Sequence, residues 1–529
     1  MKKILFCFTL LSVVPHFVHS QITNTNLSNF AFWDTEPFLA VNPVNTSNII
    51  VGWMHATALN QLSIATKYSN DGGATWSSSV VNMPHVNSNY TSADVSIAFN
   101  NTGGAFLTYV DSRIQNDTGY VLMTKSFDGG ATWSAPSFVI SSTASPDFPV
   151  DRPWIAIDKT SGPYSGTIYV VNKSVDFGQM PHHIWMEKSG DNGATWSAPM
   201  LVDDSIPSDL VTNAMGALTV GNDGAVYVAY PSYHPAQSVF ARMIVVKSSD
   251  GASTFTPYVI GNATANSAIT DSLLQGSYSL QANPANQNDL VLVFTDNRNG
   301  DADILSSRSI DGGLTWSAPI RATDDAVSNG NNQDMCWAAY APNGKYVTAW
   351  RDRRNSAGGS QDNFEIYATA SADDGATFGT NVNMSSAQSP YINIVKGNDF
   401  IGVGTDGTDL FTAWCDYRTG NTEIFVAKTP LSSILSVNEN EPQSLMLDVY
   451  PNPAGGALEL NYSFSYTKKT SAEVTIMSVD GKTVLRKENI SVAEGRNHER
   501  IDVTYLSSGN YLLVVKMKDG TMVEKMFTR

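Results

Sequence analysis

Arginine and carboxylate recur together along this chain at a spacing that could bring them to one site. Four segments read acid, any residue, arginine: Asp111-Ser112-Arg113, Asp296-Asn297-Arg298, Asp352-Arg353-Arg354 and Asp416-Tyr417-Arg418. A fifth, Asp151-Arg152-Pro153-Trp154, sets an acid, a guanidinium and a large aromatic side by side. A guanidinium is a planar fork of N–H donors that fits a carboxylate with two parallel hydrogen bonds, so these arginines are candidates to hold an acidic ligand. A sugar ring needs an aromatic surface for its C–H face and polar atoms for its hydroxyls. That makes Arg152 and Trp154 the leading ligand-binding pair, with Arg298, Arg354 and Arg418 behind them. Glu36, Asp151 and Asp334 are the carboxylates open to an acid, base or nucleophile-assisting role. The competing explanation is that each repeated arginine folds back on its own aspartate, or on the acid that opens a neighbouring strand, as a structural pair. Trp53, His55, His182, His183, Tyr230, Tyr233 and His234 fall near the same loops, where single histidines are more often surface residues than acid–base groups. No metal-ligand spacing is present, and 295–300 fails as a calcium loop because its first position is Thr295; neither metal nor cofactor is expected.

The elements that would carry these residues are set by a repeat. The run Ser69-Asn70-Asp71-Gly72-Gly73-Ala74-Thr75-Trp76 returns at 126–133, 189–196, 248–255, 309–316 and 371–378, about every 60 residues, each copy ending in Trp or Phe. An Asp ahead of a Gly pair is turn chemistry: the glycines supply positive φ, and the short carboxylate takes up backbone N–H groups that the turn leaves unpaired. The Thr suits a following strand, and the aromatic would plug apolar area between neighbouring sheets. Six equivalent positions cannot all sit at one centre, so Asp71, Asp128, Asp191, Asp250, Asp311 and Asp373 are expected to be structural. Each period holds four strand signals, in the first at 36–41, 48–54, 61–68 and around Val80. The inner-strand pattern returns at 94–99, 152–157, 214–220, 277–282, 335–340 and 400–403, giving seven inner strands against six boxes. The last unit stops after 410–414 and 423–427, while 22–32 has no unit of its own. A ring of seven four-stranded blades whose N-terminal strand completes the last one accounts for both, with six blades the alternative. In such a ring all the boxes share one rim. The starts of the inner strands, with Glu36, Asp94, Asp151, Arg152 and Asp334, share the opposite face with the acid-x-Arg loops.

The boxes resemble the Asp-box, or bacterial neuraminidase repeat, of sialidase-like β-propellers. That resemblance implies an all-β fold. In sialidases it further implies three arginines holding a substrate carboxylate, a Tyr made nucleophilic by a Glu, and an Asp as proton donor. This chain departs from the pattern: no arginine precedes Arg113, and no aspartate lies between Asp34 and Asp71. The expected function is therefore a secreted or cell-surface propeller that recognises extracellular glycans or glycoproteins without true sialidase activity. The alternative is an exo-sialidase-like glycoside hydrolase.

The ends carry address labels. Lys2 and Lys3 precede the apolar run 4–14, and Val18-His19-Ser20 suits cleavage, so 1–20 reads as a signal peptide with Gln21 as the mature start. The propeller is expected over 21–428 and a polar linker over 429–443. Over 444–529, the Leu447-Asp448-Val449-Tyr450-Pro451-Asn452-Pro453 opening, the Val479-Asp480-Gly481-Lys482 turn, 506–512 and the terminal Lys525-Met526-Phe527 resemble the C-terminal sorting domain of type IX secretion substrates. The resemblance implies a small β-sandwich recognised by outer-membrane machinery, hence a secreted or surface protein. Two cysteines remain in the mature chain, Cys336 and Cys415, which either form one bridge or stay as buried thiols. A net charge of −17 argues against nucleic acid as a partner, and no later run is long and apolar enough to be a transmembrane segment.

Overall fold

The computed structural model describes residues 22–30, 32–58, 61–113, 118–141, 151–173, 183–208, 215–232, 242–262, 278–357, 359, 362–391, 400–435, 447–454, 459–466, 469–479, 482–493, 495–518 and 522–529. The proposed signal peptide, most of the linker, His182, Tyr233 and His234 lie outside them.

From Asn24 to Pro430 the chain folds into seven antiparallel sheets of four strands each. The first sheet is Asp34–Val41, Ile49–Ala58, Gln61–Ser69 and Val81–Asn82, in sequence order from the inside outward. Five more repeat this order. The seventh has only three strands of its own, Gly402–Thr405, Asp409–Asp416 and Glu423–Pro430, and its fourth is Asn24–Asn26 from the N-terminus, paired Asn24 with Ala427 and Asn26 with Phe425. Each inner strand packs on the next, and the last packs on the first. This closing contact is tight enough to require glycine: a Cβ on Gly402 would lie 2.8 Å from the backbone nitrogen of Leu39. Closure leaves the ring without a free inner seam.

The six box turns are nearly superimposable in their bonding. In the first, Ser69 Oγ donates to Asp71 Oδ1 at 2.8 Å and accepts from Gly73 N at 2.9 Å, while Thr75 N and Oγ1 donate to the two carboxylate oxygens at 2.8 and 2.6 Å. The same four contacts hold the boxes of Asp128, Asp191, Asp250, Asp311 and Asp373. In the fourth copy Ala252 stands where the others have glycine and still takes a left-handed φ of 58°. The closing aromatics wedge toward the preceding sheet: Trp133 Nε1, for one, donates to Thr66 Oγ1 at 3.2 Å.

A second repeat joins sheet to sheet, and the sequence motif does not contain it. The cation just before the box serine reaches the box of the next sheet. Lys125 Nζ donates to Asn192 O at 3.1 Å, Lys188 Nζ to Gly251 O at 2.5 Å, Lys247 Nζ to Gly312 O at 3.0 Å and Arg308 Nη1 to Asp373 O at 3.0 Å. Lys428, at the equivalent place in the last sheet, reaches Gly72 O at 2.9 Å, whereas Tyr68 and Ala370 stand at this place in the first and sixth sheets.

The last propeller strand runs to Pro430, past the expected end at 428, and a short helix, Leu431–Ile434, buries both its terminal residues. Beyond 446 a three-stranded sheet (Asp448–Tyr450, Glu459–Tyr466, Gly495–Asp502) faces a four-stranded one (Thr483–Val492, Thr470–Ser478, Asn510–Met517, Met522–Thr528). Their shared core includes Leu460, Tyr462, Val474, Ile476, Leu513 and Val515, so this is a separate small sandwich. Cys336 and Cys415 are both buried free thiols.

Candidate functional site

Four inner strands begin with the same irregularity on the face opposite the boxes. Glu36, Asp94, Arg152 and Met335 adopt left-handed backbones, with φ of 52°, 55°, 51° and 54°. In three of these strands the pairing register slips at that point, between Thr35 and Phe38, Ala93 and Ser96, and Asp334 and Trp337. This is a β-bulge repeated around the axis. It costs about 1–3 kcal/mol at each non-glycine residue and turns one side chain out of the strand's alternation. The first of the bulges is marked in the sequence by Pro37, which cannot donate to a ladder inside a strand. The acids and Arg152 thus stand where the strand sequence alternation would not have aimed them.

The residue before each bulge faces the second strand. In the first two sheets those pairs are Thr35 with Met54 and Ala93 with Val110. In the third and sixth they are ionic: Lys173 Nζ lies 3.1 Å from Asp151 Oδ2, and Arg351 Nε and Nη2 lie 2.5 and 2.7 Å from Asp334. A second arginine, the buried Arg353, adds Nη2 at 3.2 Å from Asp334. Burial opposes the Asp334 charge, but the two guanidiniums outweigh it and hold the carboxyl below its ordinary range. Asp334 is therefore locked as an anion and is unsuited to donate a proton. Arg351 and Arg353 were missed as its partners because the acid-x-Arg reading pointed only to Arg354.

Asp94 and Asp151 form a different arrangement. They lie at the starts of neighbouring inner strands, the backbone N–H of Arg152 donates to Asp94 Oδ2 at 3.3 Å, and the two carboxyls share a hydrogen bond. Burial, then the adjacent Asp151 charge, pushes Asp94 up to about 8. Asp151 also suffers from burial, but Lys173, the bond to Asp94 and Arg152 bring it below its ordinary value. The pair thus shares one proton, with Lys173 and Arg152 drawing the negative charge toward Asp151. The Arg152 guanidinium lies over the ring of Phe400, 4.9 Å from its centroid.

Trp154 does not offer a platform to solvent. It is 4% exposed, donates Nε1 toward Met215 Sδ at 3.2 Å, and packs against Phe38, Trp337 and Phe400 at centroid distances of 5.9, 5.6 and 5.0 Å. These four rings, from four different sheets, plug the axis. Strand alternation places Trp154 inward, and in a closed ring inward means against the other inner strands. Beyond the plug, on the box side, a chamber of about 400 Å³ is lined by inner-strand residues including Ser96, Thr219, Ser279 and Gln281, with Lys159 near its mouth. None of the candidate acids or arginines lines it.

The acid-x-Arg loops close on themselves. Arg298 donates Nε and Nη2 to Asp296 at 2.8 and 2.7 Å, Arg354 to Asp352 at 3.1 and 2.9 Å, and Arg418 to Asp416 at 2.9 and 2.5 Å. Arg354 also reaches Asp324 at 2.6 Å and lies over Tyr367, and Arg418 lies over Phe425. Their aspartates are buried, and two of them also accept from indoles, Trp350 and Trp414. In the second sheet the equivalent Asp111 is held by His85 Nδ1 at 2.8 Å and Val86 N at 2.7 Å. His55 Nδ1 lies 2.7 Å from Asp34 Oδ1, which also accepts from Trp53 Nε1 at 2.9 Å, and His183 Nδ1 lies 3.1 Å from Asp203. The buried Tyr230 hydroxyl donates to Ile206 O at 2.7 Å. Glu36 is buried on the same face. Among the described residues, no group of three or more His, Cys, Asp or Glu could hold a metal ion.

The repeat that builds this ring has a name in sequence comparison: a BNR repeat-like domain matches residues 160–477. The chain belongs to the BNR repeat-like family. The match starts inside the third sheet of the ring and ends in the strand Thr470–Ser478 of the small sandwich, where it overlaps a secretion system C-terminal sorting domain matched over 448–529. This BNR repeat-like protein therefore carries a type IX sorting tail, which directs it to the outer surface or beyond. No curated protein sequence matches it significantly. Solved structures similar to this BNR repeat-like chain include the Hadza microbial sialidase Hz136, 15% identical over 72% of this chain and 75% of that one, with a TM-score of 0.43. They also include Penicillium chrysogenum alpha-L-arabinanase complexed with arabinobiose, at 13% identity, 79% and 100% coverage and a TM-score of 0.45. A third is the GH93 alpha-L-arabinofuranosidase of Fusarium graminearum with arabinobiose, at 13% identity, 67% and 98% coverage and a TM-score of 0.44.

Proposed function

We propose that the propeller is an extracellular glycan-recognition module without sialidase-type hydrolysis, and that its sugar site is the upper axial cluster of Asp94, Asp151, Arg152 and Lys173. The observation that carries this reading is the mixed character of the cluster. A protonated carboxyl, an ionised carboxylate, an ammonium and a guanidinium together offer donors and acceptors to ring hydroxyls, with a positive excess for an acidic sugar. The argument against sialidase chemistry is occupancy: Arg298, Arg354, Arg418, Arg351 and Arg353 already bind carboxylates of the chain itself. One observation favours a hydrolase acting on another sugar, namely that Asp94 holds a proton beside an ionised Asp151. Carboxyls close enough to share a hydrogen bond, however, fall short of the roughly 5–5.5 Å separation of a retaining pair.

A glycan array read with the wild type, Asp151→Asn and Arg152→Ala tests the site. Loss of the bound glycan signal by about tenfold or more in both variants is expected, as for removal of charge-assisted hydrogen bonds. Binding indifferent to both would move the site off the axis. Turnover of a fluorogenic sialoside should be undetectable, and robust turnover would overturn the non-enzymatic reading.

A further inference from the structure

The cations that link one sheet to the next box are lysines in four places and an arginine in one. A lysine gathers its donors at a single nitrogen, so its acceptors lie close together, as Gly251 O, Ala252 O and Ser253 Oγ do around Lys188 Nζ. Arg308 performs the same link with Nη1, on Asp373 O at 3.0 Å, and has a second amino group to spare. That group, Nη2, meets the Asp448 carboxylate and lies 3.3 Å from Ser463 Oγ, both in the C-terminal sandwich. Asp448 and Ser463 are cross-strand partners, so the sandwich presents a carboxylate from the edge strand of its three-stranded sheet beside a hydroxyl from the middle strand. The contact is largely dry: the Arg308 side chain is 5% exposed and that of Asp448 26%.

We propose that the sorting domain docks on the box rim of its own propeller, at the junction of the fifth and sixth sheets, with Arg308 as the anchor. An arginine suits this link because its planar fork holds two amino groups apart, so Nη1 can keep the box carbonyl while Nη2 reaches a carboxylate on the other domain. The helix Leu431–Ile434 supports the same placement. It leads the chain off the last strand onto the sixth sheet, where the carbonyl of Ile434 crowds Gly379. The dock has a directional consequence: the tail occupies the rim opposite the bulged inner-strand starts, so a chain held by its tail turns the Arg152 face outward.

Small-angle X-ray scattering on the full mature chain tests the dock, because residues 436–446 can stretch to at most about 40 Å and an undocked tail must lengthen the particle. Asp448→Arg sets two cations face to face and leaves the Arg308 link to Asp373 in place, so propeller folding is not at stake. Its maximum dimension should grow by about 10 Å or more. Arg308→Met removes the cation altogether and should open the particle in the same way. Arg308→Asp combined with Asp448→Arg should restore the compact particle. Wild-type dimensions in Asp448→Arg, with circular dichroism unchanged, would overturn the proposal, as would failure of the charge swap to restore compaction while both single variants open.

Discussion

The two faces of the propeller are built from the same seven sheets and treat repetition in opposite ways. On the box rim, six aspartates accept the same three hydrogen bonds at nearly the same lengths. On the opposite face, one bulge position holds Glu36, Asp94, Arg152 and Met335, and the pair beside it runs from Thr35 with Met54 to Asp334 with Arg351. Identical residues at equivalent positions serve the fold, which needs the same turn each time. Different residues at equivalent positions serve something that exists once, and the axis is the one place where seven copies become a single site. The contrast also separates the electrostatics. Asp71, Asp191 and Asp250 are held ionised by turn hydrogen bonds, Thr75 on Asp71 foremost, whereas Asp94 is kept protonated by burial.

The sharpest way to break this comparison is to remove an acid from the varied face. Asp334→Ala leaves Arg351 and Arg353 without their carboxylate, with the Arg353 side chain fully buried. Removing one partner of a buried ionic group costs about 3–5 kcal/mol. Chemical denaturation should show a loss of that order, larger than for any box aspartate. A loss under about 1 kcal/mol would mean that the cluster is hydrated and open, and hence available to ligand in a way its geometry does not suggest.

Asp311→Ala tests the repeated face. It deprives Ser309 Oγ, Thr315 N and Thr315 Oγ1 of their acceptor in a half-buried turn, for an expected cost of about 1–3 kcal/mol read as a lowered melting temperature. Glycan binding, where measured, should not change. If several single box variants melt like the wild type, the turn does not depend on its carboxylate.

Much of the repeated face was legible in the sequence, because a turn motif is local: Asp, Gly and Thr within eight residues determine their own hydrogen bonds. The N-terminal strand in the last sheet could be inferred by counting, as an orphan strand beside an incomplete unit. The varied face was legible only in part. Its acids and Arg152 could be placed there by strand order, but the bulges that aim them are slips of register between two strands of one sheet, and the Asp94 to Asp151 hydrogen bond joins sheets about 60 residues apart. The expected sugar platform of Trp154 failed for the same reason, since whether an inward ring meets solvent or three other rings depends on what the remaining sheets contribute. The lysine links were equally invisible, because each partner is a backbone carbonyl with no sequence signature.

A pH series sharpens the electrostatic half of the comparison. In the unfolded chain Asp94 ionises near 4, while in the fold it holds its proton to about 8. Between those values the folded state binds a proton that the unfolded state does not, so this group's contribution is full below about 4 and declines as pH rises to about 8. Buried Glu187 is pushed up to about 8 in the same direction, with Asn172 donating to it at 2.7 Å. Asp94→Asn cannot ionise and should make the urea midpoint fall less steeply between pH 5 and pH 8, and adding Glu187→Gln should flatten it further. The box carboxylate Asp71 acts in the other window: held down to about 2, it contributes above about 4 and loses that contribution as acid brings the pH down through 2. An unchanged slope in Asp94→Asn would place the shared proton elsewhere.

The smallest effect is expected where the two ends of the chain meet. Six of the sheets are built from one continuous stretch of chain, whereas the last is assembled from both ends, and its closure on the first relies on the pairing of Asn24–Asn26, on the Gly402 contact and on Lys428 reaching Gly72 O. Lys428 is 43% exposed, so its bond competes with water and is screened by salt, and Lys428→Met should cost only about 0.5 kcal/mol. Lys125→Met, which breaks the same kind of link at an internal junction, should cost a similar amount. Equal losses in the two variants would say that the strand exchange alone secures the ring. A clearly larger loss for Lys428→Met would say that closure is the weak point of the circle, because the C-terminal strands of the last sheet are joined to the N-terminal strand by pairing alone.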